Sequence, residues 1–145
     1  MVHALQQAAA LVKPGGRFID IHPHPAEPDI LVRLGDEEQR AGWLYEHDER
    51  VEYAQADAAL ETAVARGLFR VARRETFVFN TYADSVADLR AYLAENWTDA
   101  RLDEPVARRA EELLRAPQPG EIVLRERVRI ARLRVGGEWD TDERG

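Results

Sequence analysis

Residues 10–21 read ALVKPGGRFIDI, and this stretch decides how the chain is expected to fold. Before it, apolar residues recur at helical spacing from Val2 to Val12, which predicts an amphipathic helix. The Lys13–Gly16 turn ends that helix, because proline cannot continue the hydrogen-bond ladder and glycine permits a tight reversal. The Arg17–Ile21 segment is rich in β-formers. The order helix, tight turn and strand is that of one half of a βαβ unit.

The rest of the chain predicts alternating strands and helices within one domain, residues 1–135. The predicted elements are a β-hairpin at Ile30–Tyr45, a helix at Tyr53–Arg66, a strand at Leu68–Thr81, helices with apolar stripes at Val86–Trp97 and Val106–Leu114, and a final strand at Glu121–Val135. In the hairpin, the polar residues 35–38 are expected to form the turn between the two strands. Residues 136–145 are expected to form a disordered acidic tail.

Composition narrows the classes of function. The chain has no cysteine, which excludes disulfides and zinc-thiolate sites. It has no apolar run of about 18 residues, so no transmembrane helix is expected, and we expect a cytoplasmic protein without a membrane partner. The net charge of −7 argues against nucleic acid as a partner. Arginines cluster at Arg73-Arg74, Arg108-Arg109 and Arg125–Arg134, but each cluster lies among carboxylates, so ion-paired surfaces are expected.

Residues 10–21 resemble a segment of the class I S-adenosylmethionine-dependent methyltransferases. That family has an amphipathic helix, a Leu-Lys-Pro-Gly-Gly-type turn and a strand in the middle of its catalytic domain, where the strand is the fifth of the sheet. Later segments are also similar, namely the Arg66–Phe69 phrase that ends a helix and the arginine-rich last strand. The resemblance implies an α/β fold: a partial Rossmann-like methyltransferase sheet with strands resembling the family's fifth, sixth and seventh, flanking helices and an inserted hairpin.

No segment of this sequence resembles the cofactor-binding half of that family's catalytic domain. The family binds S-adenosylmethionine at a glycine-rich turn after its first strand, and this sequence has no Gly-x-Gly pair. The resemblance therefore implies the substrate-side half of a methyltransferase, which binds no cofactor alone and needs S-adenosylmethionine only as part of a complete enzyme. No catalytic residue can be assigned. Because this turn suits any α/β protein, a non-catalytic interaction module and a small α+β ligand-binding domain stay open.

His22, His24, Trp43 and Tyr45 are the candidate substrate-binding residues. The two histidines follow the Arg17–Ile21 strand, and open α/β sheets bind ligands at the carboxyl ends of their strands. Alternate residues of an extended chain point the same way. Trp43 and Tyr45 share a face of the predicted hairpin, and aromatic side chains commonly line ligand sites. The alternative for all four is a structural role.

A metal site is the less favoured interpretation of the histidines. In that interpretation, Glu27, Asp29 or His47 would complete the ligands of His22 and His24. The more ordinary alternative is a rigid, exposed loop.

The edge of the Arg17–Ile21 strand predicts a partner. In the family, the corresponding strand pairs with a neighbour on each side, and the segments of this chain that resemble the family supply only one of them. An apolar strand with an unpaired edge promotes association. A partner chain, a homo-oligomer or the chain's own Ile30–Tyr45 hairpin would cover it. We expect a homo-oligomer or a partner chain.

Overall fold

The structure is a computed structural model that describes residues 1–46 and 49–135. Within them the chain forms α1 (Val2–Leu11), β1 (Arg17–Pro23), β2 (Asp29–Leu34), β3 (Glu37–Trp43), β4 (Tyr45–Glu46), α2 (Glu49–Ala65), β5 (Phe69–Ala83), α3 (Val86–Asn96), β6 (Ala100–Arg101), α4 (Glu104–Leu114) and β7 (Gly120–Val135). The tail expected at residues 136–145 lies outside the described residues.

The last strand, β7, organises the main sheet. One edge of β7 pairs along its length with β5. The opposite edge pairs with β2 over residues 120–125 and with β1 over residues 128–134. The β3 strand then pairs with β2, and every one of these pairs is antiparallel. The expected α/β class is therefore confirmed in its coarse form, with helices packed on a mostly antiparallel sheet.

Helices cover opposite faces of this sheet at its two ends. The odd-numbered residues of β7 point to what we call face A, where Ala131 and Leu133 pack against α1 and α2. The even-numbered residues point to face B, where Ile122 and Leu124 pack under α3 and α4. Alternation along a strand makes this division unavoidable, because successive side chains leave the sheet on opposite sides. The described residues thus form two apolar cores, one on each face.

The turn between α1 and β1 has the geometry that its sequence predicts. Gly15 has a φ of 73°, which glycine adopts without steric cost. The Gly16 N–H donates to the Lys13 carbonyl at 2.7 Å. A Cβ at Gly16 would lie 2.5 Å from Val12 Cγ1, so a side chain at this position would force the turn open.

The predicted hairpin exists, but its turn is shorter than expected. The β2 and β3 strands pair from Asp29 to Trp43 around a turn at Gly35-Asp36. Glu37 and Glu38 therefore belong to β3 instead of the turn, which they can do because that stretch of β3 is exposed. The hairpin also does not cover β1, because β2 uses the remaining length of the same β7 edge.

Candidate functional site

His22 is held between two carboxylates on face A. Its Nδ1 lies 2.6 Å from Asp20 Oδ2, and its Nε2 lies 2.5 Å from Asp57 Oδ1. Asp20 precedes it on β1, whereas Asp57 comes from α2. Carboxylates accept hydrogen bonds, so a ring nitrogen that carries a hydrogen donates to the carboxylate beside it. The side chain is 11% exposed, which makes His22 a fixed link between strand and helix.

Asp57 continues this network to β7. Its second oxygen accepts a hydrogen bond from Arg129 Nη1. Burial alone would raise the pKa of Asp57, but the hydrogen bonds from His22 and Arg129 outweigh it and hold that pKa below its ordinary value. The carboxylate is therefore anionic at neutral pH and joins α2 to two neighbouring strands.

His24 lies at the end of β1 beside two arginines. Burial is the largest cause that lowers the pKa of His24, and the positive charges of Arg129 and Arg127 lower it further. The Ala26 N–H donates to His24 Nδ1 at 2.9 Å, and His24 Nε2 lies 3.1 Å from the donor Arg129 Nη2. A charged ring carries a hydrogen on both nitrogens and can accept neither bond, so both contacts oppose the charged form. His24 is thus a neutral polar group at neutral pH.

An open cleft of about 540 Å³ lies on the same face, next to the loop that follows β1. Its lining residues come from that loop and from β2, β3 and β7: Ala26, Glu27, Asp29, Arg40, Trp43 and Arg127. This position adjoins the carboxyl end of β1.

The cleft combines an aromatic surface with two arginines. Asp29 accepts from Arg127 Nη2 at 2.7 Å and lies 3.0 Å from Arg40 Nη2. The Arg40 guanidinium carbon is 5.2 Å from the centroid of the Trp43 ring, a cation–π distance. Trp43 is 47% exposed. Asp29 binds both arginines, and Glu27, the second carboxylate of the lining, is ion-paired with Arg50. These three arginines and two carboxylates leave one positive charge, so the cleft suits a ligand with a planar apolar part and an anionic group.

The four predicted substrate-binding residues do not form one site. Trp43 lines the cleft, and His24 begins the loop that forms its wall. His22 points into the network with Asp57, where its two ring nitrogens are already engaged. Tyr45 lies in the small β4–β6 pair, with the Arg101 guanidinium 4.6 Å from its ring centroid. The structure therefore supports a ligand-facing position for Trp43 and a structural one for His22.

The sequence predicted that the arginines of the last strand are ion-paired, but not which carboxylates bind them. On β7, Arg125, Arg127 and Arg129 alternate, which places all three on face A. Each one is bound by a carboxylate from another element, and these carboxylates belong to Glu38, Asp29 and Asp57. The alternation was visible in the sequence, but the partners are 72 to 98 residues away.

Within residues 1–46 and 49–135, no group of three or more histidine, aspartate or glutamate side chains has an arrangement that holds a metal ion. Asp29 instead binds two arginines, and His47 lies outside the described residues. None of the described helices is long and apolar enough to span a membrane.

The starts of α3 and α4 lack the turn that binds S-adenosylmethionine in the resembled family. In that family the cofactor lies at a glycine-rich turn that leads from a strand into a helix. Here the start of α3 is capped by Ser85, whose Oγ accepts from the Asp88 N–H at 3.1 Å. The start of α4 consists of Asp103, Glu104 and Pro105 and contains no glycine.

Comparisons with protein-family models, with curated proteins and with solved structures found no match to this chain.

Proposed function

We propose that this chain is the substrate-side part of a class I S-adenosylmethionine-dependent methyltransferase, inactive alone, and that a different polypeptide segment binds the cofactor. The observation that carries the proposal is the order of three strands. The last strand, β7, lies between β1 and β5 and is antiparallel to both, so β1 and β5 run parallel. The resembled family has this arrangement in its fifth, seventh and sixth strands.

The position of the turn supports the same assignment. The Lys13–Gly16 turn directly precedes β1, as the corresponding turn precedes the fifth strand in the family. An inserted hairpin then separates β1 from α2 and extends the other half of β7. The long β7 strand accommodates both partners because its 16 residues are enough for two short strands placed end to end.

The cleft supports a role in binding substrate. Trp43 offers a ring for a planar group, while Arg40 and Arg127 are placed to hold an anionic group. Methyl transfer depends mainly on positioning the acceptor atom, so residues that bind and orient the substrate are sufficient for this half. The cofactor, when bound by the other segment, supplies the methyl group.

The test is ultraviolet cross-linking of S-adenosylmethionine with a radioactive methyl group to the complex purified from the native cells. We expect the label on a polypeptide that accompanies this chain, and we expect S-adenosylhomocysteine to compete for it. The isolated chain is the control and should give no heat of binding with S-adenosylmethionine in calorimetry. A complex without any labelled polypeptide contradicts the proposal, as does tight binding by the isolated chain.

A second candidate is a ligand-binding domain that uses the cleft without methyl transfer. It is favoured by one observation, that the exposed Trp43 ring, Arg40 and Arg127 lie together in the cleft. The test is whether planar carboxylates quench the tryptophan fluorescence of the chain. Quenching that is lost in Trp43→Ala and retained in Trp97→Phe would support this candidate, provided that the purified complex takes up no radioactive label.

A further inference from the structure

The loop that joins β1 to β2, residues 24–28, forms one wall of the cleft. Its residues Ala26 and Glu27 line the cleft. Two of its five residues are prolines, which have no backbone N–H. The loop therefore has few main-chain hydrogen bonds with which to hold its shape.

Main-chain hydrogen bonds hold this loop only at its two ends. The His24 N–H donates to the Arg127 carbonyl at 2.9 Å, and the Pro28 carbonyl accepts from the Leu44 N–H at 2.9 Å. Within the described part of the chain, no other main-chain bond reaches residues 25–27. The middle of the loop therefore depends on side chains for its position.

Two side chains bind the middle of the loop. Arg50, near the start of α2, donates from Nε to the Pro25 carbonyl at 3.2 Å and from Nη1 to Glu27 Oε1 at 2.7 Å. The His24 ring accepts the Ala26 N–H on Nδ1 at 2.9 Å. Between about pH 5 and 8 a guanidinium and a carboxylate keep their charges, whereas an imidazole ordinarily titrates. Of these bonds, only the one to His24 is therefore sensitive to pH in that range.

The surroundings of the His24 ring make its bond to the loop depend on its protonation. A charged imidazole carries a hydrogen on both nitrogens, so its Nδ1 cannot accept the Ala26 N–H. The charged and titratable groups that act on the ring are Arg127 and Arg129 from β7, Asp57 from α2 and His22 from β1. Only Asp57 favours the charged ring, and its two oxygens are already bound by His22 and Arg129. A ring that takes up a proton therefore loses its bond to the loop.

We propose that His24 is a pH-sensitive latch on the cleft: the neutral ring holds residues 24–28 in place as a wall, and protonation of the ring releases them. After release, the middle of the loop is bound by Arg50 alone. Because the pKa of His24 lies below the ordinary 6.5, the wall is held at neutral pH and released in more acidic solution. The use of this latch to control substrate binding rests on the proposed function.

NMR titration of the full chain tests the latch. The nitrogen shifts of the ring report the protonation of His24, and hydrogen exchange reports the protection of the Ala26 amide relative to an unstructured peptide at each pH. We expect this protection to fall about fivefold through the midpoint of the ring titration, which is the contribution of one hydrogen bond. The Asp88 amide is the internal control, because it donates to the Ser85 hydroxyl, which does not titrate. An Ala26 amide that is unprotected at neutral pH, or whose protection does not follow the ring, overturns the inference.

Two substitutions of His24 separate the latch from a general loss of stability. The asparagine side chain has an acceptor oxygen one bond from Cγ, as Nδ1 is in histidine, and it does not titrate. His24→Asn should therefore keep Ala26 protected across the whole range, whereas His24→Phe removes the acceptor and should leave it unprotected throughout. His3→Asn on α1 is the control and should leave the response of Ala26 to pH unchanged. Protection that still varies with pH in either His24 variant overturns the inference.

The outcomes distinguish the latch from the proposed function. The NMR experiments use neither substrate nor cofactor. If Ala26 follows the His24 ring but the purified complex takes up no label from S-adenosylmethionine, the proposed function fails while the latch stands. If the complex is labelled but Ala26 does not respond to the ring, the latch alone fails.

Discussion

The two faces of the β1–β7–β5 sheet carry the same residue types and use them differently. On face A, the arginines of β7 bind carboxylates from other elements, and α1 and α2 cover the adjoining apolar residues. On face B, arginines of three strands are neighbours, Arg73 is ion-paired with Glu75 of its own strand, and the apolar side chains of Ile19, Ile21, Phe77 and Phe79 are exposed. The difference shows that an alternating pattern of arginines determines only the face of the sheet on which each side chain lies. What each face becomes depends on the elements packed against it.

Truncation of apolar residues should give the largest contrast between the faces. Leu133 is fully buried on face A, so Leu133→Ala should lower the free energy of unfolding by about 2–5 kcal/mol, through lost transfer energy and a cavity. Phe79 on face B is 53% exposed, so Phe79→Ala should cost no more than about 1 kcal/mol in the isolated chain. Urea unfolding followed by circular dichroism measures both. Equal losses would mean that face B is covered in the isolated chain.

Removing one arginine from each face should give a smaller contrast of the same sign. Arg129→Gln removes a donor from the Asp57 carboxylate and should lower the free energy of unfolding by about 1–3 kcal/mol. Arg132→Gln removes a cation from face B and should change it by less than about 0.5 kcal/mol. The two variants differ only in position along β7, so unfolding curves at matched salt compare them directly. A loss in Arg132→Gln as large as that in Arg129→Gln would contradict the assignment of the faces.

The smallest effect should be the pH dependence contributed by His24. Its folded pKa lies below the ordinary 6.5, because burial and the neighbouring arginines oppose the charged ring. The unfolded chain therefore binds more protons, so this contribution is present above pH 6.5 and is lost as the pH falls through the folded pKa. NMR titration of the ring should give a midpoint below 6.5, and His24→Gln should reduce the slope of stability with pH in that range. A midpoint above 6.5 would mean that Arg127 and Arg129 do not approach the ring as described.

Local patterns predicted most of the elements. The structure confirms that α1 ends at the Lys13–Gly16 turn, that β1 follows it and that α3 and α4 have apolar stripes. Each of these features depends on neighbouring residues. The turn of the β2–β3 hairpin was predicted too long, because Glu37 and Glu38 also suit an exposed strand. The methyltransferase relationship stays a prediction that the cross-linking experiments test.

The candidate site was harder to predict than the fold. The sequence pointed to the end of β1 and to Trp43, and the structure places an open cleft there. It gave no means to find that Asp57 would engage His22, or that Tyr45 would lie in another strand pair. Both facts depend on how α2 and the short strands pack on the sheet.

The sequence alone determined the order of helices and strands, the alternation of side chains along β7 and the excess of acidic over basic residues. These properties depend on local sterics and on composition, which act within a few residues. Only the tertiary structure decided that β7 lies between β1 and β5, that its odd-numbered arginines bind distant carboxylates and that its even-numbered ones join Arg17, Arg70 and Arg73. Strand register sets these neighbours, and register depends on contacts between residues that are far apart in the chain.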